Sequence, residues 1–138
     1  MDKNSVIMVF GEPIEIVVPS KSTGYTCCAG VQTSPPGGGP PPHKHEREEE
    51  TFVVLEGEYD FFDGQEWVPL MQGEVMFSRR GHYHAFRNTG ASPGRMFFTT
   101  NAGGLDDYFA LISALVMPED QARLVEISEH FGYVFQGL

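Results

Sequence analysis

A chain of 138 residues with 41% hydrophobic and 12% aromatic content has the make-up of one ordinary globular domain and is too short for two. Its 19 acidic and 9 basic residues leave a formal charge of −10 with no basic run, which argues against nucleic acid and anionic membranes as partners. No apolar stretch approaches the roughly 18 residues that span a bilayer. The opening Met1-Asp2-Lys3-Asn4 lacks the features of a signal peptide, and the adjacent Cys27 and Cys28 offer no disulfide framework, so a reduced, cytoplasmic setting is expected.

Residues 1–100 read as β. Val6 to Phe10, Ile14 to Val18 and Tyr25 to Val31 are short β-prone runs broken by turn residues. Thr33 to Pro42 holds five prolines and three glycines and supports no regular element, so it reads as a stiff loop feeding the next strand. Thr51 to Leu55 and Glu58 to Phe62 follow. Asp63-Gly64 signals a hairpin, with Gln65 to Leu70 as the returning strand. Gln72-Gly73 makes the next turn before Val75 to Ser78; His84 to Asn88 and Arg95 to Thr100 complete the set. Many short strands with glycine-rich turns predict a sandwich or barrel.

From Leu105 the pattern turns helical. Leu105, Tyr108, Phe109, Ile112, Leu115 and Val116 recur at helical spacing, with Asp106 and Asp107 suited to the helix N-terminus. Pro118-Glu119-Asp120 opens a second helix carrying Leu124, Val125, Ile127 and Phe131, and Gly132 is its stop signal. The expected organisation is a single domain over 1–138, with a β-barrel over 1–100 and a helical extension over 105–138. The helices are expected on the barrel exterior or across a dimer interface, their aromatic stripe carrying no ligand. Sheet edges beside that stripe predict a homodimer or larger assembly.

The chemistry concentrates in His43-Lys44-His45, Glu50 and His84. A strand sends residues i and i+2 to one face, so His43 and His45 point together at one ion. Three imidazoles and a carboxylate suit one divalent transition metal (Fe, Mn, Ni, Co, Cu or Zn) and leave positions open for substrate. Phe52, Val54 and Phe86 share strand parity with Glu50 and His84, which makes them candidate lining of a substrate pocket or barrel core. His82 and His130 are expected at the surface. Arg79 is expected to meet an anionic substrate group or the acidic rim.

With Gly37 before His43, Gly57 after Glu50, and Gly73, Gly81, His84 and Asn88 downstream, the chain resembles the cupin family. The first family motif, G-x5-H-x-H-x(3,4)-E-x6-G, matches at every fixed position. The second matches except that Arg79 stands where the family has proline. The resemblance implies an antiparallel β-barrel of jelly-roll type holding one metal through His43, His45, Glu50 and His84. Both Glu49 and Glu50 satisfy the motif's gap, and only Glu50 has a glycine at the required downstream distance. Glu46, Glu48 and Glu49 are then expected to form a solvated rim. The stretch His82 to Gly90 and the helix opening at Gly104 are similar to small quercetin dioxygenase-like cupins. That implies a metal-dependent oxygenase for a small phenolic or enolisable substrate, with Glu50 doubling as base. Metal-dependent isomerase or lyase chemistry, or a non-catalytic ligand- or metal-binding role, uses the same residues.

Overall fold

The computed structural model describes residues 4–138; the first three residues, part of the segment read for a signal peptide, lie outside them. The elements run β1 (Ser5–Val9), β2 (Glu12–Val18), β3 (Cys28–Ser34), β4 (His43–His45), β5 (Glu50–Glu56), β6 (Glu58–Phe62), β7 (Trp67–Met71), β8 (Val75–Ser78), β9 (Ala85–Asn88), β10 (Gly94–Thr100), α1 (Leu105–Ile112), α2 (Gln121–Phe131) and β11 (Tyr133–Phe135). A six-stranded antiparallel sheet has the order β1-β2-β3-β10-β5-β8, a three-stranded sheet the order β7-β6-β9, and β4 pairs with β11. His43 and His84 exchange backbone hydrogen bonds of 3.0 and 2.8 Å, which attaches β4 to the segment leading into β9.

The layers form an open sandwich where the sequence predicts a barrel. The reason is local. β4 and β8 are three and four residues long, and the Pro40–Pro42 run and the Arg79–Gly81 turn cut their pairing short, so the sheets do not close. Strand alternation nonetheless builds one core. Ile14, Ile16, Phe52, Val54, Met96 and Phe98 point inward from the large sheet, and Tyr59, Phe61, Leu70 and Phe86 from the small one.

Three turns depart from expectation for identifiable reasons. Tyr25 sits at φ +64° beside a 3-10 turn at Ser20–Thr23, so β3 begins only at Cys28. The Asp63 carboxylate accepts from the backbone N–H of Gln65 and of Glu66 at 2.9 Å each, which lengthens the hairpin loop and delays β7 to Trp67. The proline-rich loop is anchored to β9, where Asn88 exchanges backbone hydrogen bonds with Gly37 (2.8 Å) and Gly38 (2.9 Å).

The largest difference concerns the C-terminal region. Leu105, Tyr108 and Ile112 of α1 and Leu124 and Ile127 of α2 are buried in the same core as the strands, and the Tyr108 and Ser128 hydroxyls meet at 2.7 Å. Gly132 ends α2 in the left-handed region, as predicted. The chain then returns as β11, pairing Tyr133 with His45 and Phe135 with His43. The aromatic stripe is inward packing, not an outer surface.

Gly39 is where the loop passes closest to the sheet: it has φ +130°, and a Cβ there would lie 2.0 Å from the Phe86 carbonyl oxygen. Gly11, at φ +82°, has open space around the same position. Gly39→Ala should therefore destabilise by more than ~3 kcal/mol through clash and strain, against ~1–2 kcal/mol for the left-handed conformation alone in Gly11→Ala. Denaturant melts of the two variants check this ordering.

Candidate metal centre

β4 sends His43 and His45 to one side, and the β9 approach brings in His84, so the ligating nitrogens of the three rings lie within 4.8 Å of one another. Each Nδ1 is already engaged. His43 Nδ1 lies 2.8 Å from the Pro41 carbonyl oxygen and His45 Nδ1 2.9 Å from Glu48 Oε1; both oxygens only accept, so these nitrogens carry the protons. His84 Nδ1 meets the Ser78 hydroxyl at 2.8 Å. The Nε2 lone pairs of His43 and His45 are thereby left available. Glu50 Oε1 sits 3.3 Å from both His45 Nε2 and His84 Nε2.

A buried lone pair without a partner is costly. His84 Nε2 is a buried polar atom that makes no hydrogen bond among the described residues, and the Ser78 hydroxyl can donate to Nδ1 or accept from it, so the ring is free to present Nε2 as an acceptor. The donor set thus fits a divalent transition metal, which would use His43, His45 and His84, with Glu50 alongside. Outer partners that fix ring orientation are characteristic of built metal sites.

The electrostatics agree. Burial, then the neighbouring His84 and His45, holds His43 well below the usual imidazole value. Burial lowers His84 to about 4, opposed by the His82 backbone and by Glu48. Both rings are neutral at physiological pH, the state in which an imidazole can bind a metal. Burial raises Glu50 to about 7; His45 opposes that shift and Glu48 adds to it.

Glu48 corrects the solvated-rim expectation. It is 3% exposed and bridges His45 Nδ1 and the Tyr133 hydroxyl, which donates to it at 2.8 Å. Burial and Glu48 together push the Tyr133 hydroxyl far above its ordinary value, so it remains a donor. Glu49 does lie at the surface, paired with Arg80 at 2.8 Å; Arg79 instead lines an outer cleft with Phe61, Asp63, Phe77 and His82. The turn that lacks the motif proline still forms, closed by Gly81 N–H donating to the His45 carbonyl at 2.7 Å. His82 and His130 are exposed, and Cys28 is a core side chain whose thiol burial pushes up to about 12.

A cavity of about 170 Å³ opens from His43, His45 and Glu50. Phe52 and Phe86 line it, as strand parity predicts. Val54 does not: it is fully buried in the core, one inward position farther from Glu50. The remaining walls include Phe98 and, from the C-terminal region, Tyr108, Ile112, Tyr133 and Phe135. Glu12 and Gln32 supply a second polar patch, with Gln32 Nε2 donating to Glu12 Oε1 at 3.0 Å.

Three outcomes follow for metal binding. Replacing His45 and His84 together by alanine should abolish it, as elemental analysis of untagged protein would show. Tyr133→Phe, which frees Glu48 from one of its two partners, should weaken affinity about 10–100-fold. Glu50 must be ionised to face a cation. Its elevated value of about 7 therefore makes affinity full above that pH and lower below it, by at most about tenfold between pH 8 and pH 6, with the three imidazoles setting the floor. Chelator competition at the two pH values checks this, and Glu50→Gln should flatten the dependence.

Residues 30–100, half of the chain, match the cupin domain model. No curated protein matches the chain in sequence. Among solved structures, a predicted oxalate decarboxylase from Thermotoga maritima shares 25% identity over 72% of this chain and 92% of its own, with TM-score 0.63. A sugar phosphate isomerase of the cupin superfamily from Silicibacter pomeroyi shares 20% identity over 66% of this chain and 59% of its own, with TM-score 0.59. KdgF from Halomonas sp. shares 18% identity over 66% and 79%, with TM-score 0.57. The folds agree in all three, and the matched region contains both parts of the histidine cluster. The chain belongs to the cupin domain family.

Proposed function

We propose that the protein is a metal-dependent oxygenase acting on a small phenolic or enolisable molecule. The observation that carries this reading is the contrast between the site's two halves. The donor cluster is polar and buried, while the cavity it opens into is walled mostly by aromatic and aliphatic side chains, with Glu12 and Gln32 as its other polar groups and no Lys or Arg among the described residues lining it. Oxalate and sugar phosphates are dianions that would meet the Glu12 and Glu50 carboxylates with no Lys or Arg beside them and the metal as their only cationic partner. An uncharged ring with an acidic hydroxyl or an enolisable carbonyl needs none. The volume, about 170 Å³, is close to the ~150 Å³ cavity that admits benzene, so one ring is the natural size.

The chain's own residues have defined parts in this scheme. A bound divalent metal would supply Lewis acidity and a place to organise O2 beside the substrate. Phe52 and Phe86 give the ring an apolar wall and exclude water. Glu50, raised to about 7 by burial, takes the hydroxyl or α-carbon proton from substrate; a base near neutrality suits that transfer. The Glu48–Tyr133 pair keeps His45 in the tautomer that presents Nε2.

The same Glu50 serves isomerisation or elimination without O2 equally well, which makes that the second reading. Oxygen-electrode assays over one-ring phenols and 1,3-diketones separate the two: uptake in step with substrate loss supports the oxygenase, and substrate loss without uptake replaces it. Saturable binding with no turnover under any of the six metals would leave a binding protein. Under the leading reading, Glu50→Gln keeps shape and one oxygen donor but no base. Its turnover should fall ~10²–10⁴-fold while metal content stays near that of the native protein. An unchanged rate at full metal would make Glu50 a bystander.

A further inference from the structure

Glu12 and Gln32 line the same cavity as the histidines, yet the chemistry at the metal gives them no part. Gln32 shares a register row with Met96 and Val54, four residues along the strands from the row of Cys28, Thr100 and Glu50. Roughly 13 Å of strand therefore separates the two rows. Glu12 is firmly held at its end. Its Oε1 accepts from Gln32 Nε2 at 3.0 Å and from the Ser34 hydroxyl at 2.5 Å, and its Oε2 accepts from the Gly39 N–H at 2.9 Å. All three donors are neutral, and no Lys, Arg or His nitrogen lies within 4.0 Å of the carboxylate among the described residues. A carboxylate offers about four acceptor positions, so one on Oε2 stays open. Because Gln32 turns its NH2 toward Glu12, its carbonyl oxygen is a further acceptor beside it. Phe10 lines this cavity too, from the β1–β2 turn, where it sits at φ +49°. Turns of that hand favour asparagine and glycine, so an aromatic ring is kept there at a conformational cost.

We propose that Glu12 and Gln32 form a recognition subsite for a cationic arm of the substrate, an ammonium joined to the metal-facing ring by a short alkyl chain. The inference rests on the reading of the cavity as a site for a one-ring substrate, and it names the class of that substrate more closely. Three neutral donors position the Glu12 charge without neutralising it, and a chain of net charge −10 places no cation of its own beside it. An ammonium carries three N–H donors, enough for both the open Oε2 position and the Gln32 carbonyl. Its charge is attracted to the carboxylate and to an aromatic face such as that of Phe10. A hydroxyl arm gains only a neutral hydrogen bond there, and a carboxylate arm is repelled. The arm is needed because the ring occupies the space beside His43 and Glu50, while Glu12 lies farther along the strands. The bond to Gly39 also ties the proline-rich loop to β2, so one carboxylate serves both the loop and the subsite.

Calorimetric titration of the metal-loaded full chain with three phenols that differ only in the arm tests the proposal. Tyramine carries an ammonium, tyrosol a hydroxyl and para-hydroxyphenylacetate a carboxylate. Tyramine should bind about 10–100-fold more tightly than tyrosol, and para-hydroxyphenylacetate more weakly than either. Glu12→Gln keeps an oxygen acceptor but no charge, and with it tyramine and tyrosol should bind alike. Gln32→Lys leaves Glu12 and its hold on Gly39 in place while supplying a cation, and should reverse the order of the charged pair. It decides the matter if Glu12→Gln does not fold, circular dichroism and metal content reporting the fold of each variant. A Glu12 that only anchors the loop would shift all three phenols together. That result, equal affinities for the native chain, or no binding of any of the three would overturn the proposal. An oxygen electrode separates this from the oxygenase reading: the charge order without oxygen uptake keeps the subsite and removes the oxygenase, and uptake without the charge order does the reverse.

Discussion

Three imidazoles and a carboxylate converge in the low-dielectric interior of this protein, with His84 Nε2 left without a hydrogen-bond partner among the described residues, and much of the fold is arranged around holding them there. Leaving His84 Nε2 unpartnered and Glu50 desolvated costs stability, because each lone pair gives up water without a replacement. A cation at their common focus removes that cost for all of them at once. The protonated Nδ1 atoms of His43 and His45 are fixed by acceptors that cannot donate, so this polarity is built in and not induced by the ion.

The centre also ties the ends of the chain together. β11 pairs directly with the His-x-His strand, and Tyr133 reaches Glu48, 85 residues away in sequence, to complete the support of His45. Tyr108 and Ile112 of α1 wall the same cavity that Phe52 and Phe86 enter from the sheets. The C-terminal region is thus a structural part of the pocket. Changes in it are expected to reach the histidine cluster through Tyr133 and the cavity through α1.

What was legible in the sequence follows what is local. His43 and His45 are two residues apart on one strand, and period-2 geometry alone puts them on one face. Phe52 and Phe86 follow from the same parity, as does the core role of Ile14 and Phe98. The acidic run around Glu48 reads as solvated, and nothing local shows that Tyr133 will bury it. A three-residue strand after Gly132 carries too little pattern to be distinguished from a fraying end. The expected barrel stays open because proline and glycine loops truncate β4 and β8, a consequence of pairing that no single segment displays. Val54 shows the limit of parity: it faces inward as predicted but lies beyond the cavity.

The account rests on a single ion held by three imidazole nitrogens at the mouth of an aromatic cavity. Anomalous diffraction from crystals of the untagged protein, recorded at the absorption edge of the metal found in it, tests that most directly. One peak per chain within bonding distance of Nε2 of His43, His45 and His84 is the predicted result. A peak elsewhere on the chain, or none at this focus in protein saturated with each of the candidate metals, would contradict it.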